Sequence, residues 1–443
     1  MIFGISALLI LLLIFLGVSV PLCFLGGAIF CALFSGLSTG AFATNAYYAL
    51  DSVSMLAVPL FMLAGVLIEK SGIARVLIDL ANRMLYRVKG GMTATIPVVS
   101  CFFGALCGSS LATASTLTSM MTPELTKRGW DKRYVAALIA VSSPFGYMIP
   151  PNVNAIIFSS VTSASVGALF LATIIPGILW AGLYLAINRA IYKKWYHPEL
   201  AEEGLKGLSE EEVSRQAQKK VSFLRVIRAA IPAFIMPVIT LGGIYGGVFT
   251  PSEAGAVGCL YAAICGVAIY RSFKVRDLPD IFASSAFNVA TLLIMFPMTM
   301  IFTKIMVRNR IPDLVAEVLL GITESPILLI LIFNIVLFVI GFFLDANVIL
   351  LSIVPLLSPT AAAIGMSSVQ LGVIVFVSLG IGSITPPMAM CLFTCAKVTG
   401  IPVEDMVKPA IPFLLFGALP IMLLVSFVPA LSEWLPGLFY VIQ

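Results

Sequence analysis

The sequence predicts an all-α polytopic membrane protein, built as an inverted-topology repeat with about ten full spans and two re-entrant hairpins. Three observations point to this fold class. The 443-residue chain is 60% hydrophobic and only 11% charged, whereas a soluble domain is about 25% charged. Apolar runs of membrane length recur along the whole chain, and a double-proline motif occurs twice at a fixed spacing.

Apolar runs long enough to cross a bilayer begin at the N-terminus. We predict them near residues 2–20, 22–38, 51–69, 134–163, 167–189, 229–248, 252–270, 280–303, 368–397 and 409–431. The first run has no basic stretch before it, so we interpret it as an uncleaved span rather than a signal peptide. Lys and Arg concentrate in 124–133, 189–228 and 271–277, which indicates cytoplasmic loops. Because the net charge of +5 is spread over such loops, we expect no nucleic-acid partner.

Two further apolar runs carry turn-forming residues at their centres. A straight helix over 91–122 would overshoot the roughly 30 Å hydrocarbon core, and its centre "GALCGSS" favours a turn. The run 327–359 has the centre "GFFLDANV", where Asp345 is a functional group, a helix cap or both. We interpret both runs as re-entrant hairpins. For the first, the alternative is a long tilted helix with a small-residue packing face.

The double-proline motifs predict broken helices. "GYMIPPNVNA" begins at Gly146, and "GSITPP" begins 236 residues later at Gly382. Proline has no N–H to donate and clashes with the preceding turn. Irregular backbone at membrane depth is tolerated where it is buried in protein or lines a cavity. We therefore expect each break to expose carbonyls and half-helix ends to a cation and a solute. A plain proline kink is the alternative.

Several landmarks share one offset and predict an internal repeat. Pro123 and Pro359 are also 236 residues apart, and each half has three spans, an amphipathic segment, a hairpin, a broken helix and a final span. About five full spans separate the two amphipathic segments, so the copies face opposite sides, as in secondary transporters.

The repeat divides the chain into three predicted domains. The first repeat covers 1–190, with scaffold spans 1–69, arm helix 70–89, hairpin and broken helix 91–163, and span 167–190. A cytoplasmic linker with a surface helix covers 191–228, and the second, inverted repeat covers 229–443, with scaffold spans 229–303, arm helix 304–321, hairpin and broken helix 325–397, and span 409–431.

The amphipathic segments 71–85 and 310–321 have apolar residues at helical spacing. In the first, we expect one apolar stripe to contain Ile73, Val76, Leu77 and Leu80. Such helices lie in the membrane interface, and we interpret them as arms that brace a moving part against a fixed one. A passive interfacial linker is the alternative.

Two S/T-x-x-E sequences predict capping boxes. Ser209 with Glu212 begins a linker helix that we expect to be solvated. Thr250 with Glu253 makes Glu253 a structural cap rather than a proton carrier.

The chain lacks the motifs of an enzyme or an ATP-driven pump. It has no HExxH, nucleophile elbow or Walker A sequence. Its eight cysteines all lie in apolar segments without a CxxC, so we interpret them as small buried apolar residues. A channel would need a continuous polar pore, whereas the polar residues here cluster at two breaks.

Along nearly its whole length the sequence resembles the large membrane (M) subunit of tripartite ATP-independent periplasmic (TRAP) transporters. The matching stretches are "FFGALCGSSLATA", "PELTKRGWDKRYVAAL", "GYMIPPNV", "SVGALFLATIIPGIL", "GGIYGGVFTPSEAGAV" and "SLGIGSITPPMAMCLF". The resemblance implies a bacterial inner-membrane transporter that imports an organic acid anion, of the dicarboxylate or sialic acid class, driven by two or more sodium ions. It also implies a small four-helix membrane subunit, a periplasmic binding protein, and an elevator mechanism in which hairpins and broken helices move against the remaining spans. The alternative is another ion-coupled carrier or a channel that acts without a binding protein.

Cation and solute sites are expected at the hairpin tips and breaks. No Lys or Arg occurs in 90–126, 134–188 or 311–396, so bound cations, helix N-termini, hydroxyls and amides must meet an anion there, unless the solute is neutral. We predict one sodium site per repeat, built mainly from carbonyls of Gly104, Cys107, Gly146, Ile149 and Pro150 in the first, and from Gly341, Gly382, Thr385 and Met388 in the second. The family more often has serine at Cys107, and only a carbonyl ligand would survive that change. The predicted solute-binding residues are Ser109, Ser110, Asn152, Asn154, Asp345 and Asn347.

Overall fold

The computed structural model describes residues 2–34, 40–51, 53–218, 223–387 and 389–441. Helices and short connections account for these residues, apart from one isolated bridge between Trp130 and Tyr196. The α-helices are α1 (Ile2–Phe15), α2 (Val20–Phe34), α3 (Ala41–Leu50), α4 (Val53–Lys70), α5 (Ile73–Leu85), α6 (Gly91–Cys107), α7 (Ser110–Lys127), α8 (Lys132–Ser142), α9 (Phe145–Met148), α10 (Val153–Val161), α11 (Val166–Ile191), α12 (Glu210–Gln218), α13 (Phe223–Tyr245), α14 (Pro251–Ile264), α15 (Leu278–Arg308), α16 (Ile311–Ile322), α17 (Pro326–Gly341), α18 (Ala346–Val348), α19 (Val354–Ala363), α20 (Ser368–Gly382), α21 (Met390–Thr399), α22 (Val403–Phe413), α23 (Leu419–Phe427) and α24 (Ala430–Gly437). Short π-helical turns follow α14 and connect α18 to α19 and α22 to α23.

The all-helical, multi-span fold class is confirmed. Within the described ranges, six helices are long and apolar enough to cross a membrane, or up to eight if each of two bent helix pairs counts as one span. Helices α1, α2, α6, α17, α20 and α21 are apolar but shorter, so the full count of about ten spans stays a prediction. The sequence analysis did not anticipate α3, which precedes the third predicted span.

The elements occur twice in the same order. The groups α1–α4 and α13–α15 each precede an arm helix, α5 or α16. Hairpin 1 (α6–α7) and hairpin 2 (α17–α19) follow the arms, and then come the broken helices α8–α10 and α20–α21. The final members are α11 and α22–α23.

Packing divides these elements into two groups. In the scaffold unit, defined as α1–α4 with α13–α15, α4 packs on α14, and α15 packs on α2, α3 and α4. The carrier unit comprises both hairpins, both broken helices, α11 and α22–α24. There, α11 packs on α6 and α20, α8 on α22, and α20 on α23. The sequence analysis had assigned the final spans to the scaffold, whereas Trp180 and Tyr184 of α11 pack their rings 5.7 Å from Phe145 of the first broken helix.

The arm helices differ from the predicted ones in phase and start. The buried face of α5 consists of Ile73, Ala74, Leu77, Ile78 and Ala81, whereas Val76 and Leu80 are only half-buried. The predicted stripe was therefore wrong in part, because α5 packs between α6 and α13 rather than on a single flat surface. The second arm begins at Ile311, since α15 continues to Arg308 beyond the predicted boundary at 304.

Both predicted capping boxes are confirmed. The Thr250 N–H and hydroxyl both donate to Glu253 Oε2 at 2.8 Å, and the Glu253 N–H donates back to the Thr250 hydroxyl at 3.3 Å. The Ser209 N–H donates to Glu212 Oε2 at 2.9 Å. Helix α12 is not fully solvated, however, because Glu210 is only 5% exposed.

The eight cysteines are free, and seven of them are buried while Cys101 is half-buried. Their interpretation as small buried residues is confirmed for these seven.

Candidate solute and cation site

The tip of hairpin 1 is a two-residue turn built on glycine. Gly108 has φ of 61° and donates its N–H to Gly104 O at 2.7 Å, a left-handed conformation that favours glycine. Ser109 then caps α7, its hydroxyl accepting from Ala112 N at 3.3 Å. The turn ends α6 and starts α7 within the protein interior, where Cys107 and Ser110 are buried.

Hairpin 1 crosses the first broken helix at a pair of glycines. A Cβ atom on Gly104 would lie 2.8 Å from Gly146 N, and one on Gly146 would lie 2.7 Å from the Ser109 carbonyl carbon. Distances below 3.0 Å are too short for a side-chain carbon. The two backbones therefore approach as closely as they do only because neither residue has a side chain.

Hairpin 2 crosses the second broken helix in the same way. A Cβ on Gly382 would lie 2.6 Å from Gly341 O, whereas one on Gly341 would lie 3.5 Å from Gly382 Cα. Each glycine pair precedes a Pro–Pro step, and the Pro150–Pro151 and Pro386–Pro387 peptide bonds are both cis. The first break (residues 149–152) bends the helix by 46°.

The tip of hairpin 2 carries Asp345. Its Oδ1 atom accepts hydrogen bonds from the Asn347 N–H and from Asn347 Nδ2, both at 2.9 Å. Asp345 therefore caps the start of α18, and no ion pair to it occurs among the described residues. The expectation of a capping role is confirmed, and Asp345 also lines a cavity.

This cavity lies where elements of both repeats meet. It has a volume of ≈ 20 Å³ and is lined by Tyr147, Gly341, Leu344, Asp345, Ala346, Leu379, Gly382, Ser383 and Met390. About 10–15 Å³ is enough for a water molecule, so the space suits one water or one small cation. Because the first broken helix contributes Tyr147 to a cavity otherwise formed by the second repeat, the two predicted sites adjoin each other.

Three buried polar atoms near the first tip and break have no hydrogen-bond partner among the described residues. They are Ser110 Oγ, Asn152 Nδ2 and Asn154 Nδ2. Asn152 uses its other side-chain atom, Oδ1, to accept from Ala155 N at 2.8 Å and so caps α10. Buried polar groups are nearly always satisfied in native proteins. All three residues were predicted to bind solute. The Ser110 hydroxyl also lies near the Tyr147 hydroxyl and the Cys391 thiol, so the unused capacity of the two amides is the observation that is consistent with a bound polar group.

The predicted cation ligands are placed as follows. A Cβ on Gly65 of α4 would lie 2.6 Å from Cys107 O, so that carbonyl faces the scaffold unit. The Thr385 hydroxyl donates to Ile381 O at 2.8 Å, which leaves its oxygen lone pairs available to a cation. Ile149 and Pro150 lie in the first break, and the Ile149 side chain points towards Gly177 of α11. Met388 lies outside the described residues.

Among the cavity residues that sequence reasoning missed, two carry hydroxyl groups, Tyr147 and Ser383. Each directly follows the glycine that begins its double-proline motif, Gly146 or Gly382. Ser383 also accepts from Cys391 N at 2.9 Å through its carbonyl, which joins the two halves of the second broken helix. The sequence could therefore have indicated both residues, because each repeat has a hydroxyl-bearing residue directly after this glycine.

The electrostatics of the site come from backbone and amides rather than cationic side chains. Helices α7, α10 and α21 all begin at a tip or a break, and their N-termini carry partial positive charge. The described residues contain no cluster of three or more His, Cys, Asp or Glu side chains that could hold a metal ion. Any cation bound here would rely mainly on carbonyl and hydroxyl oxygens.

Paired hairpins and broken helices that converge on a buried polar cavity are typical of secondary transporters in the membrane. Comparison with known proteins identifies the family. Residues 5–431 match the family described as "Tripartite ATP-independent periplasmic transporter, DctM component". The chain belongs to this family: it is a TRAP transporter permease and a multi-pass protein of the bacterial inner membrane, and not an enzyme.

Named relatives support this assignment. The chain is 30% identical to the C4-dicarboxylate TRAP transporter large permease protein DctM of Pseudomonas aeruginosa, over 93% of either chain. It is 33% identical to the isethionate TRAP transporter permease protein DctMQ of Oleidesulfovibrio alaskensis, over 89% of this chain but only 60% of that longer relative. The fold also resembles the crystal structure of the Alcanivorax borkumensis YdaH transporter, with a TM-score of 0.59, 17% identity, and coverage of 88% and 89% of the two chains.

Proposed function

We propose that this permease couples the import of an organic acid anion to an inward flow of sodium ions. Relatives are named for C4-dicarboxylates, isethionate and sialic acid, and one for ectoine. These names support a small polar solute, and most of them an acid. The dicarboxylate or sialic acid class is our proposal for this chain.

The observation that carries the sodium proposal is the pair of glycine crossings. Each brings the backbone of a hairpin against a broken helix just before a Pro–Pro step. The first proline of each step has no N–H to donate to the carbonyl four residues earlier, which is that of Gly146 or Gly382. Sodium is a hard cation, and carbonyl oxygens are typical ligands for it at unwound helices. We place one ion per repeat, at Gly104 with Gly146 and at Gly341 with Gly382, and the polarity of Thr385 supports the second. Two cations would offset carboxylate charge that no Lys or Arg in these segments meets.

The solute would lie between the tips, against Ser109, Ser110, Asn152, Asn154 and the Asp345–Asn347 pair. The unpartnered amide groups of both asparagines support donation to carboxylate or hydroxyl oxygens. Asp345 adds a negative charge to the same region, so a bound cation or a donor group on the solute must face it.

We further propose an inverted repeat that works as an elevator. The base of hairpin 1 is tied to the C-terminal end of α11, where Asn188 Nδ2 donates to Gly90 O at 3.2 Å. The base of hairpin 2 lies at the other end, since Ala362 shares a surface cavity with Ser163, which precedes α11. Helix α11 has 26 residues and is about 39 Å long at about 1.5 Å per residue, so this placement supports hairpins that enter from opposite sides.

The proposed partners are a small four-helix membrane subunit, a periplasmic binding protein that delivers the solute, and the surrounding bilayer. The fusion relative from Oleidesulfovibrio alaskensis, which is longer than this chain, supports a second membrane component.

The test is uptake by the chain reconstituted in proteoliposomes with its small subunit and binding protein. Saturable uptake that requires an inward sodium gradient and the binding protein is expected. Uptake without the binding protein would favour a different carrier, and unsaturated current would favour a channel. Asn152→Ser keeps a capping oxygen but removes the amide donors, so it should weaken solute uptake while leaving the protein folded. Wild-type solute affinity in that variant would contradict the role of Asn152.

A further inference from the structure

The polypeptide that follows α11 folds back onto the carrier unit rather than extending away from it. The Asp131 N–H donates to Trp195 O at 3.0 Å, the His197 N–H donates to Gly129 O at 2.8 Å, and the Glu202 N–H donates to Lys127 O at 3.0 Å. These backbone bonds attach the segment to the loop between hairpin 1 and the first broken helix. We call residues 192–214 the clamp.

Aromatic packing covers these backbone bonds. The ring of Trp195 stacks on Tyr134 of α8 at 5.4 Å with an interplanar angle of 7°. Trp130 packs on Tyr192 and Tyr196 at 6.3 and 5.3 Å. Trp130 and Tyr134 are almost fully buried, so the clamp forms part of the packed interior of the carrier unit.

Glu210 joins the clamp to the start of hairpin 1. Its carboxylate accepts from Gly90 N and from Met92 N, both at 3.3 Å, and it is only 5% exposed. These are N–H groups at the beginning of α6, which have no partner within the helix. Burial raises the pKa of the carboxyl, yet both of its oxygens have backbone donors.

The base of hairpin 1 also forms hydrogen bonds with α11. Asn188 Oδ1 accepts from Thr93 Oγ1 at 2.9 Å and from Tyr134 OH at 2.7 Å, and Asn188 Nδ2 donates to Gly90 O. Gly90 has φ of 72°, and a Cβ there would lie 3.0 Å from the Tyr192 ring. The base of hairpin 1 is thus fixed by the clamp on one side and by α11 on the other.

We propose that the clamp moves with the carrier unit as one body, and that Glu210 is a positioning residue that holds the base of hairpin 1 while its tip engages cation and solute. This inference rests on the proposed elevator mechanism, because the clamp can move with the carrier unit only if the carrier unit itself moves. The clamp is therefore a working part of the carrier rather than a passive cytoplasmic linker.

The first test is a cross-link inside the proposed body. Lys127 and Glu202 are exposed, their charged ends lie 3.4 Å apart, and the Glu202 N–H donates to Lys127 O. We therefore expect Lys127→Cys/Glu202→Cys to form a disulfide on oxidation. Oxidised protein, with the small subunit and binding protein, should retain the sodium-driven uptake of the reduced sample. Loss of uptake on oxidation, with recovery on reduction, would overturn the proposal. The oxidised native chain controls for its own eight cysteines.

A second cross-link separates this proposal from the elevator itself. Thr303 of α15 donates its hydroxyl to Leu351 O of hairpin 2 at 2.8 Å. Thr303→Cys/Leu351→Cys places one thiol on each side of this contact between the scaffold unit and the carrier unit, and a disulfide that forms there on oxidation should abolish uptake. Uptake in that oxidised variant would count against the elevator, whereas failure of the clamp cross-link alone would count against the clamp.

Substitution of Glu210 gives an independent test. Glu210→Ala should lower the maximal uptake rate about tenfold, the size expected from the loss of hydrogen bonds to a charged acceptor, with an unchanged sodium half-saturation. Glu210→Gln keeps one acceptor oxygen and should recover part of the rate. The matched control is Glu211→Ala, an exposed neighbour on the same helix. Equal rates for Glu210→Ala and Glu211→Ala would overturn the positioning role.

Discussion

Alanine at Gly382 should disrupt the second cation site, and alanine at its partner Gly341 should not. A Cβ on Gly382 would lie 2.6 Å from Gly341 O, about 0.8 Å inside the 3.4 Å limit of ordinary contact. The obstructing atom belongs to the backbone, so it cannot rotate away. A Cβ on Gly341 would have its nearest neighbour at 3.5 Å, which is an ordinary contact. The two variants add the same methyl group to the same interface.

The size of the effect follows from overpacking. Forcing a methyl group into a filled interface costs about 1–3 kcal/mol. If the crossing opens to relieve the clash, the carbonyls proposed to bind sodium separate by a similar fraction of an ångström. A loss of 1–3 kcal/mol in binding corresponds to a roughly 5- to 150-fold rise in the sodium half-saturation of uptake. Gly341→Ala should stay close to the native value.

The assay is solute uptake at a series of sodium concentrations in proteoliposomes that contain the small subunit and binding protein. Thermal unfolding of the detergent-solubilised protein checks that both variants fold. A native sodium dependence in Gly382→Ala would refute the reasoning, and so would equal damage from both substitutions. Gly146→Ala extends the test to the first repeat, where a Cβ would lie 2.7 Å from the Ser109 carbonyl carbon.

Three other substitutions probe separate parts of the mechanism. Thr385→Val removes a hydroxyl that already donates to Ile381 O and should raise the sodium half-saturation several-fold, about 1 kcal/mol for one lost ligand; an unchanged value means that the hydroxyl does not bind the ion. Leu77→Pro places a proline, at a cost of about 3 kcal/mol or more, inside the arm helix α5, where Leu77 is buried; it should abolish uptake while ²²Na⁺ binding persists, and normal uptake would show that the arm is only a linker. Gly65→Ala would put a Cβ 2.6 Å from Cys107 O, where the scaffold meets the tip of hairpin 1, and should slow uptake. Gly258→Ala, whose nearest neighbours are at 3.4 Å, is its control, and equal rates in the two would argue against a tight scaffold contact at the tip.

The turns inside the apolar runs and the breaks could be predicted from the sequence because their signals are local. Glycines and hydroxyls at the centre of an apolar run favour a turn, and a double proline must interrupt a helix. The cap formed by Glu253 was predictable for the same reason, since a capping box is complete within four residues. These features need no knowledge of what packs around them.

The remaining features depend on contacts between distant segments. Nothing in the composition of α11 indicates which helices it packs on, and only the structure shows that Trp180 and Tyr184 contact Phe145 of the first broken helix. Glu210 reads as a surface residue in an acidic run, yet it binds N–H groups 118 and 120 residues away. The phase of α5 was wrong in part because two neighbours, rather than one surface, bury it.

The two repeats agree in backbone and differ in side chains, and this contrast bears on what each part does. Both glycine crossings recur at the same place before a Pro–Pro step. The side chains around them do not recur: Ser109 and Ser110 form one tip and Asp345 and Asn347 the other. A sodium ion held by carbonyls needs only the backbone, so two similar ion sites can persist through such divergence. A solute with unlike ends needs unlike side chains, and the two tips would provide them, with hydroxyls at Ser109 and Ser110 and a carboxylate and an amide at Asp345 and Asn347. The proposed division of labour therefore assigns cation binding to the shared backbone of the repeats and solute recognition to the residues in which they differ.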